Sequence, residues 1–262
     1  MGVLAAKILL APTFVVAASL AARRYGARVG GLVGGLPVVA GPILLVFALD
    51  HGAVFAAGAA AGTLLGLVSL LAFILVYSHL AGRISWAGSL FLGWTAFFLM
   101  TAMLSTVTVS PGPALAVVFV AIGLTLLVLP RTQSPRRSAV VLPAWDLPLR
   151  ALSAVALVLA LTAVAGQLGA KLSGLLAPFP VIASVLAVFT HTQYGEQDLL
   201  LIMRGFVLGL VAYALFCFVL AVSLEALGIP DGFMLATVAA LATQTAALTV
   251  TWRRREPAVE RL

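Results

Sequence analysis

Long apolar runs free of charge constrain this chain more than any other feature. They fall at about 4–22, 29–49, 54–78, 85–104, 113–130, 148–166, 172–190, 198–224 and 232–252. A helix needs roughly 20 apolar residues to cross a hydrocarbon core of about 30 Å. In lipid every backbone N–H and C=O must find its partner inside the protein, so an open spanning segment is a helix. Charged residues make up 9% of this chain, against roughly 25% in a soluble domain, which is too few to cover a water-facing surface. These features predict an all-α integral membrane protein of about nine transmembrane helices, with the lipid bilayer as its main partner. The first run, with Lys7 ahead of it and small residues at 17–22, has the outline of a secretory signal. We expect it to remain as a helix, because the repeat described below includes it.

Orientation follows from the basic residues. With nine crossings, Arg23, Arg24, Arg28, Arg83, Arg131, Arg136, Arg137, Arg150, Arg204, Arg253, Arg254, Arg255 and Arg261 share one side. Lys7 and Lys171 stand alone on the other. If 113–130 is kept out of the membrane, the split falls from thirteen against two to ten against five. The nine-span arrangement therefore obeys the positive-inside rule better. It predicts a bacterial inner-membrane protein with its N-terminus outside and its C-terminus in the cytoplasm. The net charge of +7 reflects this asymmetry. No basic surface interleaved with aromatic residues is visible, so nucleic acid is not an expected partner.

The chain repeats itself when Gly26 is laid on Gly169 and the register is kept without a gap. Gly26-Ala27-Arg28 then meets Gly169-Ala170-Lys171, Gly31-Leu32 meets Gly174-Leu175, and Pro37-Val38 meets Pro180-Val181. Further on, Gly52 meets Gly195, Gly62 meets Gly205, and Leu65-Gly66-Leu67-Val68 meets Leu208-Gly209-Leu210-Val211. Over 26–76, 15 of 51 positions are identical, where chance in so biased a composition gives roughly one in ten. Segments one to four thus correspond to six to nine, with the fifth as connector. The expected units are a first four-helix repeat at 1–104, a connecting helix and cytoplasmic linker at 105–147, and a second four-helix repeat at 148–262. An odd connector turns the second unit over. Together with the charge asymmetry this predicts two inverted repeats, an arrangement common in secondary transporters because one half can rock against the other.

The repeat unit has a recognisable outline: Gly-Ala-Arg or Gly-Ala-Lys, then Gly-x-Leu, a Leu-Pro or Phe-Pro pair, a Gly-terminated loop and a long third helix. In this it resembles the small four-helix GlpM-like bacterial membrane proteins, over roughly 100 residues in each half. The resemblance implies duplication and fusion of such a unit. It implies no substrate and no catalytic residue.

Candidate functional residues follow from the cost of polar groups in lipid. Each repeat carries prolines within its second apolar run, in Gly34-Gly35-Leu36-Pro37 and in Ala177-Pro178-Phe179-Pro180. Proline removes an N–H and frees carbonyls in mid-helix. Matched interruptions of this kind point to a transporter's binding site. The same pattern also suits a packing kink with close glycine contact. Arg204 lies well inside a segment; its repeat counterpart is Ala61, so it breaks the symmetry. An intramembrane arginine reads as functional or as snorkelling to the interface. Here it would meet an anionic group or the Glu196 and Asp198 carboxylates. His191, in Thr190-His191-Thr192-Gln193-Tyr194, could titrate near neutrality or merely hydrogen-bond. Gln244 needs a partner across helices.

The expected substrate-binding set is Gly34, Gly35, Pro37, Pro178, Phe179, Pro180, His191 and Arg204. The three histidines lie in separate breaks and the single cysteine, Cys217, lies in an apolar run, so neither a metal site nor another cofactor is expected. Enzyme signatures such as HExxH and GxSxG are missing. The sequence thus predicts a transporter or flippase for a small or amphipathic solute, anionic solutes included. A non-catalytic accessory subunit is the alternative, in which case a homodimer or membrane-complex partner is implied. A lipid-modifying enzyme is a weaker third reading.

Overall fold

The computed structural model describes residues 2–38, 40–132, 145–165 and 170–253. Arg136, Arg137, Gly169, Arg254, Arg255 and Arg261, used above, lie outside them. Eleven helices are described: α1 (Gly2–Tyr25), α2 (Ala27–Gly34), α3 (Ala40–His51), α4 (Ala53–Leu80), α5 (Trp86–Ser105), α6 (Pro111–Val128), α7 (Asp146–Ala165), α8 (Ala170–Leu176), α9 (Val181–Tyr194), α10 (Glu196–Leu227) and α11 (Ile229–Arg253). No strand occurs among the described residues. The apolar segments at 29–49 and 172–190 each appear as a broken pair, α2 with α3 and α8 with α9.

Local chemistry sets the ends. Gly26, Gly52, Gly195 and Gly228 all have φ between 80 and 92°, a backbone region that only glycine enters cheaply, and each sits at a sharp helix-to-helix turn. Ser85 accepts a hydrogen bond from the Gly88 N–H at 3.3 Å and so caps α5. Pro111 occupies the first turn of α6, where its missing N–H costs nothing.

Six spans, with α8 and α9 taken together, are long and apolar enough to cross a membrane by length and composition. The helices divide into a centre and a rim. Buried residues make up 72% of the most apolar stretch of α4 and 61% of that of α10, but only 22% in each of α5, α6 and α11. The rim turns Phe91, Leu99, Met103, Val120, Leu124, Leu127 and Met234 outward. On a water-soluble monomer such an apolar face would be a liability; facing hydrocarbon it is what solvation demands. The protein is therefore all-helical and built as a multi-pass membrane protein.

The centre is held by glycines packed against backbone of the opposite half. A Cβ at Gly31 would stand 1.9 Å from the Ile202 carbonyl oxygen; at Gly174 it would stand 2.2 Å from that of Ala59. At Gly205 it would stand 2.0 Å from the Arg28 oxygen, and at Gly62, 2.7 Å from that of Lys171. At Gly209 and Gly66 it would stand 2.5 Å from the Leu32 and Leu175 oxygens. In each couple the second contact is the first with both residues replaced by their counterparts in the repeat. Helix α2 thus lies on α10 as α8 lies on α4.

Directions follow from the order of these contacts. Gly58 approaches Ala170, Gly62 Gly174, Gly66 Pro178, and Tyr77 reaches His191. Helices α8–α9 therefore run alongside α4 in the same sense, and the contacts of Gly31, Gly35 and Gly41 with Ile202, Gly209 and Phe216 align α2–α3 with α10 in the same way. Glu196, at the start of α10, lies against Gly82, just past the end of α4. The equivalent helices α4 and α10 therefore run antiparallel.

Candidate functional site

The two broken helices are alike in their bonding. Leu36 N–H donates to the Val33 carbonyl at 3.3 Å and Val38 N–H to the Leu36 carbonyl at 2.8 Å. In the second half, Phe179 N–H donates to Leu176 at 2.9 Å and Val181 N–H to Phe179 at 2.7 Å. Each break therefore holds a three-residue turn centred on a proline, Pro37 or Pro180. Pro180 has φ −73° and ψ 51°, close to an inverse γ-turn. The helices resume with Gly41 N–H on the Pro37 carbonyl and Ser184 N–H on that of Pro180, both at 2.8 Å.

Between the breaks lies a cavity of about 30 Å³, lined in part by Gly34, Leu36, Ala40, Ala177, Phe179 and Ala183. In the repeat register these form three couples, Gly34 with Ala177, Leu36 with Phe179 and Ala40 with Ala183, and Leu70 with Tyr213 adds a fourth. The cavity therefore sits where the two halves meet as equals. Its volume leaves room for only a water or two. Pro178 and Pro180 also line it. Pro37 and Gly35 do not, and Gly35 is pressed on Gly209 instead.

Two neighbours stabilise the breaks. Gln244 on α11 donates from Nε2 to the Leu32 carbonyl at 2.7 Å. In an unbroken helix that carbonyl would take the Leu36 N–H, which here turns to Val33. The buried amide thus supplies the partner that lipid cannot. In the second half, Phe179 is enclosed by rings of α5: Phe97 at 5.4 Å edge-on, Phe98 at 5.7 Å and Trp94 at 5.8 Å. Trp94 also donates from Nε1 to Ser184 Oγ at 2.9 Å, in the first turn of α9.

His191 and Arg204 line other places. His191 Nδ1 is 3.4 Å from the hydroxyl of fully buried Tyr77. The Arg204 guanidinium donates to the Leu126, Leu129 and Pro130 carbonyls at 3.2, 2.7 and 3.1 Å. It therefore caps the C-terminal end of α6, whose last carbonyls have no helical partner, and its described bonds do not go to Glu196 or Asp198. It borders a second cavity of about 520 Å³ together with Arg28, Arg131 and Thr132.

One cluster escaped the sequence reading. Asp146, fully buried at the start of α7, pairs with Arg23 of α1 and with Arg150, whose Nε lies 3.0 Å away. Gln193 of α9 donates to Asp146 and accepts from Arg150 at 2.6 Å. The Arg150 guanidinium also lies 4.7 Å over the Phe189 ring. These groups tie α1, α7 and α9 together. The only sequence signal was an i, i+4 Asp–Arg pair opening an apolar run. Among the described residues no group of three or more His, Cys, Asp or Glu could hold a metal ion. Comparison with family models, curated proteins and solved structures finds no match to this chain.

Proposed function

We propose that the protein is a transporter or flippase of a small or amphipathic solute, with its site at the paired helix breaks. The reading takes the chain to cross a bacterial inner membrane nine times, N-terminus outside and C-terminus inside. It takes the halves to be inverted repeats of a GlpM-like four-helix unit. The observation that carries it is the cavity bounded by two breaks of the same hydrogen-bond pattern, at equivalent places in the repeat. The antiparallel run of α4 and α10 supports the inversion, since equivalent helices in inverted halves point opposite ways. An exchange of the halves' roles would open the cavity to one face and then to the other.

With room for only a water or two, the cavity is too small for a solute in this conformation. Transport requires the halves to part. A packed interior also favours the second reading, a non-catalytic accessory subunit, in which they never do. Ala183, buried on the cavity wall, separates the two. In the transport reading Ala183→Cys reacts with a membrane-impermeant thiol reagent from either face within minutes. No reaction from either face contradicts transport and leaves the accessory subunit. Cys217 is buried in α10, and Cys217→Ala in the background removes its contribution.

A further inference from the structure

The cavity beside α6 has a different chemistry from the one at the helix breaks. It measures about 520 Å³ and is lined by Arg28, Leu126, Arg131, Thr132, Leu201, Arg204 and Leu208. Three of these residues are arginines, none carries a carboxylate, and arginine stays protonated under all ordinary conditions. The fold brings the three together. Gly205, next to Arg204, lets the Arg28 backbone of α2 press on α10, and Arg131 follows the α6 end that Arg204 caps. The terminal nitrogens of Arg204 donate to the α6 carbonyls, so Arg204 adds its charge to the site. Like charges gathered in a concave site favour an anion, and the guanidinium fork suits phosphate oxygens above other groups.

The apolar part of the wall narrows the choice of anion. Leu126, Leu201 and Leu208 share the cavity with the arginines. It adjoins the end of α6, whose Leu124, Leu127 and Val128 are exposed on the face turned to hydrocarbon. A free phosphate would leave that wall wet, whereas a phosphate with acyl chains attached covers it. We infer that the Arg28–Arg131–Arg204 cavity binds the phosphate headgroup of an anionic glycerophospholipid, its chains lying along α6. This site stands apart from the transport reading and holds whether or not the halves move.

The test is equilibrium binding to the purified full chain in detergent. Phosphatidylglycerol is titrated by native mass spectrometry and thermal shift, with phosphatidylcholine as the zwitterionic comparison and glycerol 3-phosphate as the free headgroup. A basic residue near an anionic lipid surface contributes enough for roughly a fivefold change in affinity. Arg131→Gln should therefore weaken phosphatidylglycerol binding about fivefold, and Arg28→Gln with Arg131→Gln roughly 25-fold, while Arg131→Lys keeps most of it. If the double variant does not fold, the contrast between Arg131→Gln and Arg131→Lys decides. Equal binding of the two lipids, or unchanged binding in the glutamine variants, overturns the site. Saturation by glycerol 3-phosphate at the lipid's own concentration overturns the lipid as its source.

Discussion

Single residues hold this fold by removing atoms as much as by supplying them. Gly205 and Gly62 leave room for the Arg28 and Lys171 carbonyls, and an added methyl at either would lie 2.0 or 2.7 Å from oxygen. Overpacking of that kind costs about 1–3 kcal/mol. Gly205→Ala and Gly62→Ala should each lower the thermal midpoint in detergent, Gly205→Ala more strongly; an unchanged midpoint for both would mean the interface is looser than described. The spacing of these glycines was readable from the sequence, as was the need of Gln244 for a partner. Arg204 was readable only in part. Its depth in a helix is a sequence property, but its acceptors lie far back in the chain, at the end of α6. Hydrogen bonds to a charged group are worth about 1.5–3 kcal/mol. Arg204→Ala should therefore destabilise the protein by about 2 kcal/mol in a denaturant or thermal titration, with α6 the first helix to gain amide exchange. A melt like the wild type's would show that Arg204 does not cap α6. Asp146 was not singled out because burial of a linker carboxylate depends on α1 and α9 closing over it, which no local pattern records.

At the scale of the element, the apolar segments located the helices to within a few residues. The 54–78 run became α4 (Ala53–Leu80) and the 198–224 run α10 (Glu196–Leu227). Length and hydropathy suffice there because lipid leaves the backbone no alternative. The second segment of each repeat was read as interrupted at its prolines, with a packing kink as the alternative, and in the structure it is two helices joined by a proline-centred turn. What the sequence did not show is that the freed groups bond within the turn, and that Gln244 and the α5 rings hold the neighbours in place. Pro37→Ala and Pro180→Ala would each introduce an N–H whose helical acceptor, Val33 or Leu176, is already taken by Leu36 or Phe179. An unsatisfied buried donor costs about 1–3 kcal/mol. Both substitutions should lower the melting midpoint by similar amounts, as befits equivalent turns. A stabilised variant would mean that the break closes into a continuous helix and that the proline alone maintains it.

For the whole molecule, the proposed transport site depends on the second half being the first turned over. The glycine couples and the paired breaks keep the register that lays Gly31 on Gly174, and α4 and α10 run in opposite directions. If the helices span the membrane, residues that correspond in the two halves must then lie on opposite faces of it. Asp50 at the end of α3 and Thr192 at the end of α9 correspond to within one position, and both are exposed. The most direct measurement places a single cysteine at each position in a Cys217→Ala background and labels intact cells with an impermeant maleimide. Asp50→Cys should be labelled at once from outside, and Thr192→Cys only after the membrane is permeabilised. Labelling of both from the same face would contradict the inverted arrangement, and with it the reason for placing a transport site at the paired breaks.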